Sequence, residues 1–401
     1  MAPTEAAITT EFLSANGLNF TCSVLQHTSE DPDAPVKEIM LLHGFPMFRV
    51  WWLPLLEHWD VLLERNGSQA MMMSAVSVHA VACDLRGYSP GASPDGIENY
   101  DYSLFAEDTF ALAEAAGFAD GFHLMGHDHG AGLAWYVAAN DPDNKILSLT
   151  TLSVPHVGLM SDALCSNNTV EDQVIASNYF NQFSLPDSAF ASNASLTDLF
   201  ESFGFPSLDP AQFQKMLWWY NGSLAKHFSM PRVVSDEEVQ GFEDMYGFQA
   251  AFFLKSSRAA IPMEERACIP IDEENRVGTI AVPTLFICGL NDFALLCNDD
   301  YVTDFPPELL PDYEHANFEC GHDFFLEGNC NNLDESQAVM DKITAFVFAT
   351  EHSGENETMP MPTSEPSGSE EEGGSGGNTP TVWNLARALQ MAVAATGVMM
   401  M

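Results

Sequence analysis

The stretch LMGHDHGAGLAW, residues 124–135, sets Asp128 between His127 and His129, with Gly126 and Gly130 one step further out. It reads as a strand end, a tight turn and a helix start, the setting in which the central residue of G-x-S-x-G is displayed as a nucleophile. Here the central residue is an aspartate. A carboxylate with an ordinary pKa of about 3.9 is already ionised at neutral pH and needs no base to activate it. It can attack an electrophilic sp3 carbon, as in an epoxide or alkyl halide, and form an ester. The helix N-terminus favours negative charge at this point. The competing reading is an aspartate that merely caps the helix.

An ester must be hydrolysed, which needs a base and a water. His322, in ECGHDFFLEGN, follows the last expected strand and can deprotonate that water. Asp292, in VPTLFICGLNDFALL, follows the preceding strand and can orient the imidazole. The order nucleophile, acid, histidine is that of the α/β-hydrolase sheet. Ester hydrolysis passes through an oxyanion, which needs fixed N–H donors. The HGFP turn at 43–46 offers the backbone N–H of Phe45, and the elbow offers that of His129. Taken singly, each has a plainer reading: a loop carboxylate, a solvated histidine, an ordinary turn.

These residues need a rigid carrier. Short apolar runs at 18–26, 37–44, 77–84, 121–126, 146–154, 282–289 and 313–319 read as strands, several covered on both faces. Helical patterns lie between them, at 103–117 with a serine cap, at 130–141 and at 335–350. The alternation implies an α/β class with a mainly parallel sheet. The rhythm breaks between Pro155 and Pro270, where aromatic helical stretches predict an inserted helical cap. The expected organisation is a first core part at 1–155, a cap at 156–270, a second core part at 271–350 and an acidic Gly/Ser/Pro tail at 351–401.

Composition excludes some partners. With 57 acidic against 14 basic residues the net charge is -43, which argues against nucleic acid and anionic membrane. Eight cysteines include no CxxC pair, so no zinc or redox motif is expected. Cys83 and Cys288 read as small buried side chains, whereas Cys297, Cys320 and Cys330 could pair in an oxidising compartment. No metal cluster or phosphate loop appears, so no cofactor is implied. The N-terminus MAPTEAAITTEFLSANG lacks the basic start and apolar run of a signal peptide, which reads as cytoplasmic. Six Asn-x-Ser/Thr sequons, together with small residues and an apolar stretch at Ala388–Met401, support the alternative of a secreted or lipid-anchored protein. That stretch is short for a membrane span.

HGFP, DLRGYSPGASP (84–94), GHDHGAGLAW (126–135), GLNDFALL (289–296) and CGHDFFLEG (320–328), in this order and spacing, resemble the α/β-hydrolase superfamily and, within it, the epoxide hydrolases, over about residues 10 to 350. The resemblance implies an α/β-hydrolase fold with a twisted sheet, flanking helices and a cap. It further implies that Tyr179 and Tyr220 polarise the oxirane. Both are protonated at neutral pH and able to donate to a developing alkoxide; packing among cap aromatics is the plainer role. His43, Pro46, His127 and Trp219 are expected to line the pocket, whose occupant is a small apolar electrophile with water. Haloalkane dehalogenases, which share the aspartate, usually carry tryptophan after it. Haloacetate dehalogenases resemble GHDRGA, with a further arginine. His129 stands at that position here. A dehalogenase and a non-catalytic binding protein of the same fold remain the alternatives.

Overall fold

The computed structural model describes residues 7–64, 76–118, 120–165, 171–177, 210–219, 277–297, 309–326 and 328–350, with a few positions between 237 and 244. The chain divides into two units, Met1–Thr350 and Glu351–Met401; every described residue belongs to the first.

Eight strands form one sheet: β1 (Ala7–Ala15), β2 (Leu18–His27), β3 (Val36–Leu42), β4 (Ser77–Cys83), β5 (Phe122–His127), β6 (Ile146–Leu152), β7 (Thr284–Gly289) and β8 (Tyr313–Phe318), in the order β1-β2-β4-β3-β5-β6-β7-β8. The β1–β2 and β2–β4 pairs are antiparallel, and every later pair is parallel. Strand β1 was not expected from the sequence. Its residues are largely exposed, so no apolar run marks it.

Helices cover both faces: α1 (Leu53–Glu64), α2 (Tyr102–Ala115), α3 (His129–Ala139) and α7 (Leu333–Ala349) belong to the core, while α4 (Val157–Cys165), α5 (Glu171–Ala176) and α6 (Pro210–Trp219) lie in the segment between β6 and β7. The period-two alternation of a strand divides the core in two. Met40 and Leu42 of β3 join Leu124, Phe105 and Trp135 on one face; Ile39 and Leu41 join Met125, Trp59 and Ile343 on the other. On the second face Trp59 Nε1 donates to Thr344 Oγ1 at 2.9 Å, tying α1 to α7. Helix α2 is capped by Asp101, whose carboxylate accepts from Ser103 N, and not by Ser103 as the sequence suggested. Asp101 has the extended backbone an N-cap requires, and Ser103 is already inside the helix.

Cys83 and Cys288 are buried as expected, but each is disulfide-bonded, to Cys22 and Cys297 respectively, and Cys320 pairs with Cys330. The first pairing follows from topology: Cys22 and Cys83 face each other in the β2–β4 register. Among the described residues no helix is long and apolar enough to cross a membrane.

Candidate active site

Asp128 sits between β5 and α3, at the carboxyl end of the sheet's central strands. Its backbone has φ 53 and ψ -122, a left-handed conformation that costs a non-glycine residue about 1–3 kcal/mol. The turn is tight enough that a Cβ on Gly130 would lie 2.2 Å from Leu42 O, and one on Gly126 2.2 Å from Gly130 O. This is why glycine brackets the elbow. Asp128 occupies the N-cap position, yet its side chain makes no capping hydrogen bond. The carboxylate points into the site instead. Phe45 N donates to Oδ1 at 2.7 Å, and His322 Nε2 lies 3.3 Å from Oδ2. Gly44 permits this approach, because a Cβ there would come within 2.5 Å of Asp128 Cβ.

Asp292 and His322 stand on the loops after β7 and β8. His322 Nδ1 donates to Asp292 Oδ2 at 2.8 Å, while Asp292 Oδ1 accepts from Ala294 N and Leu295 N at 2.9 and 3.0 Å. The three side chains named from the sequence therefore meet, across 164 residues of chain between Asp128 and Asp292 and 30 more to His322. Burial works against charge on Asp128 and His322. For Asp128 it is outweighed by the hydrogen bond to His322 and the charge of that imidazole, which hold the carboxyl well below the usual range. For His322 burial is outweighed by Asp292 and Asp128, which push the imidazole well above its ordinary value. His322 thus lies between Asp128 Oδ2 and Asp292 Oδ2, at 3.3 and 2.8 Å.

The three histidines nearest these groups, His43, His127 and His129, are neutral. His43 Nε2 accepts from Leu85 N at 3.0 Å, so Nδ1 carries the proton that bonds Gly44 O at 2.9 Å. His127 Nε2 donates to His322 O at 3.0 Å, and its ring stacks on Trp51 at 3.8 Å. Burial lowers both to about 3. Neither ring presents accessible surface. His43 instead fixes the HGFP turn, and His127 fixes the backbone of His322. His129 lies between Phe45 and Trp219, at ring distances of 5.6 and 5.0 Å, and burial lowers it to about 4. Its backbone opens α3, where N–H groups have no intrahelical acceptor of their own.

The family model for the alpha/beta hydrolase fold matches residues 38–329. The chain belongs to the α/β-hydrolase fold family. This α/β-hydrolase is 29% identical to the AB hydrolase superfamily protein YfhM of Bacillus subtilis over 178 residues, 44% of this chain and 53% of that protein. It is 32% identical to epoxide hydrolase 3 of Siraitia grosvenorii over 137 residues (34% and 38%), and 31% identical to a fluoroacetate dehalogenase of a Burkholderia species over 119 residues (29% and 34%). The matches span about half or less of these curated relatives. Among solved structures, the epoxide hydrolase of Bacillus megaterium in complex with an inhibitor has a TM-score of 0.52 at 19% identity, covering 85% of this chain and 100% of that one, which speaks to the fold alone.

Around its triad this α/β-hydrolase carries residues that motif reading missed. Gln173 of α5, fully buried, donates to Ala294 O at 3.0 Å and accepts from Leu296 N at 2.8 Å, gripping the loop that holds Asp292. No local pattern marks it, since its partners lie more than 120 residues away. Tyr88, in the DLRGYSP stretch, packs edge-on against His43 and Trp219 at 4.6 and 5.2 Å, and its buried hydroxyl has no hydrogen-bond partner among the described residues. Burial and the charges of Asp128 and Asp84 raise it well above the ordinary phenol, so it stays protonated. Arg49 pairs with Asp84, and Arg86 makes a two-point bond to Asp108 at 2.7 and 2.8 Å.

Pro46 is buried beside Phe45. Trp219 is buried against His43, Tyr88, Phe105 and His129, closing over the elbow from α6. Tyr179 and Tyr220 lie outside the described residues. Among the described residues no group of three or more His, Cys, Asp or Glu side chains is arranged to hold a metal.

Proposed function

We propose that this α/β-hydrolase opens a small apolar epoxide to a vicinal diol through an ester on Asp128. The observation that carries the reading is that the Asp128 carboxylate, instead of capping its helix, is held between Phe45 N and His322 Nε2. In the first step an Asp128 oxygen bonds to an oxirane carbon, and the C–O bond breaks toward the ring oxygen. That oxygen takes a proton from Tyr179 or Tyr220. Esterification removes the negative charge of Asp128, one of the two carboxylates that hold the His322 proton. The imidazole then loses its proton more easily, which suits it to act as base.

In the second step His322 takes a proton from water, and the water oxygen attacks Asp128 Cγ. The charge that develops on Oδ1 falls to Phe45 N–H, already 2.7 Å away, and to His129 N–H. The tetrahedral intermediate collapses, His322 returns the proton to the leaving alkoxide, and the diol departs; the proton left on the new Asp128 carboxyl passes to His322, and the proton that His322 lost after esterification restores the tyrosine. The same aspartate suits a halide leaving group, and the Burkholderia relative is a fluoroacetate dehalogenase. Against that reading, Arg49 and Arg86 are each committed to a buried aspartate and are not available to clamp a substrate carboxylate.

The test is a single turnover in heavy-oxygen water with styrene oxide as probe. Label should enter Asp128 and be absent from the first diol; label in the diol would reject the covalent route. Replacing both Tyr179 and Tyr220 by Phe should abolish epoxide turnover, and release of fluoride from fluoroacetate faster than any epoxide reacts would move the assignment to the dehalogenases.

A further inference from the structure

The nucleophile and its two partners are held by different means. Asp128 rises from β5, which has β3 and β6 as neighbours, and leads directly into a buried helix. Asp292 and His322 stand on loops at the far end of the sheet, where β8 is the edge strand and bonds only to β7. Loops leaving a sheet edge have few backbone partners to fix them. Each of these two loops is closed by a disulfide. Cys288–Cys297, nine residues apart, encloses Asp292; Cys320–Cys330, ten apart, encloses His322.

Inside the first ring, Ala294 N and Leu295 N bind Asp292 Oδ1. Across the second, Gly321 N donates to Asn329 O at 2.6 Å, and Cys320 and Cys330 form an antiparallel bridge. The rings also touch one another. Asn291 N donates to Cys320 O at 2.9 Å, and a Cβ on Gly289 would lie 2.4 Å from that same oxygen. The 2.8 Å bond from His322 to Asp292 thus joins two adjacent cross-linked loops.

We infer that Cys288–Cys297 and Cys320–Cys330 are positioning residues for the acid and the base, and that the hydrolytic step depends on their remaining oxidised. The inference rests on the ester reading above. Attack by Asp128 does not use the base, so opening either ring leaves ester formation intact and slows ester hydrolysis. A further bridge among the described residues, Cys22–Cys83, ties β2 to β4 away from these loops and should affect stability only.

The test uses the full chain. Alkylation of the untreated protein, read by mass spectrometry, should find these cysteines protected until a phosphine reductant is added; reaction without reductant would overturn the inference. In Cys288→Ser/Cys297→Ser and Cys320→Ser/Cys330→Ser, and in the phosphine-reduced wild type, the His322 ring followed by NMR should titrate at least about one unit lower, as Asp292 is held less firmly. With styrene oxide, esterification of Asp128 should stay within about twofold while ester hydrolysis falls about tenfold or more, so that modified Asp128 accumulates. Cys22→Ser/Cys83→Ser should leave both readouts in place. An unchanged His322 titration and ester lifetime would sink the proposal, as would loss of the whole fold in both variants and the reduced protein. If the wild type never forms an ester yet His322 titrates lower in the opened rings, the bracing stands and the ester reading falls.

Discussion

The backbone N–H of Phe45 donates to Asp128 Oδ1 at 2.7 Å, while Asp128 Oδ2 faces His322 Nε2 at 3.3 Å. The two carboxylate oxygens are therefore inequivalent before any substrate arrives. In the proposed mechanism the developing charge would fall on Oδ1, while Oδ2 faces His322. Replacing Asp128 by Asn keeps the size but removes the charge. Turnover should fall by more than about 10³-fold with the fold intact by circular dichroism. Recovery of activity on storage, with mass spectrometry finding deamidation back to Asp, would fit the same account; undiminished activity in freshly made protein would not.

His322→Gln should separate the two steps. His322 takes no part in the proposed first step, so styrene oxide should still modify Asp128, and the adduct should persist. Intact-protein mass spectrometry reads this directly. A variant that neither reacts nor retains an adduct would mean that His322 acts in the first step as well.

Gly44→Ala tests the close approach of the HGFP turn to the nucleophile. A Cβ there would meet Asp128 Cβ at 2.5 Å and Oδ1 at 2.7 Å, so Asp128 or the turn must move. A displacement of about 1 Å at a reacting group costs on the order of 10²-fold in rate. Steady-state kcat should drop by about that factor, with a stability loss of about 1–3 kcal/mol in denaturant unfolding. Wild-type kcat in this variant would show that the Phe45–Asp128 contact is dispensable.

Gln173→Leu removes both side-chain bonds to the Asp292 loop, and Ala294 C=O loses its buried donor. Each buried group left unsatisfied costs about 1–3 kcal/mol. The variant should be destabilised and its ester hydrolysis slowed, with esterification of Asp128 preserved. Equal slowing of both steps would assign Gln173 a general structural role.

His43, His127 and His129 are lowered by burial to about 3, 3 and 4. Their unfolded values lie near 6.5, so the folded state binds fewer protons between those limits. The stability they contribute is fully present above about pH 6.5 and is lost as pH falls toward 3–4, by about 1.4 kcal/mol per pH unit for each ring. His322, raised, has the opposite sign: its contribution is complete below about 6.5 and is lost as pH rises through its elevated folded value. Ring NMR should find none of the first three titrating above about pH 5. An inflection near pH 6.5 from any of them would contradict its sealed environment.

Much of this arrangement was legible in the chain. Seven of the eight strands and the helices after β5 and β8 follow from apolar runs and 3.6-residue periodicity, because backbone geometry couples local spacing to burial. The elbow was legible for the same reason, since two glycines, a strand and a helix lie within twelve residues. The chain order of Asp128, Asp292 and His322 then pointed, without any distance, to three side chains that the structure brings together.

What the sequence by itself determined was the chemical kind of the site: an ionised carboxylate at an elbow, with a histidine and a second carboxylate following later strands. The tertiary structure alone decided the rest, because burial and partner geometry are set by segments distant in sequence. It turned the Asp128 carboxylate away from its helix toward Phe45 N–H. It sealed His43 and His127 beneath the site and made His129 neutral. It brought Gln173 to the acid loop, laid Cys22 beside Cys83, and closed the Asp292 and His322 loops with a disulfide each.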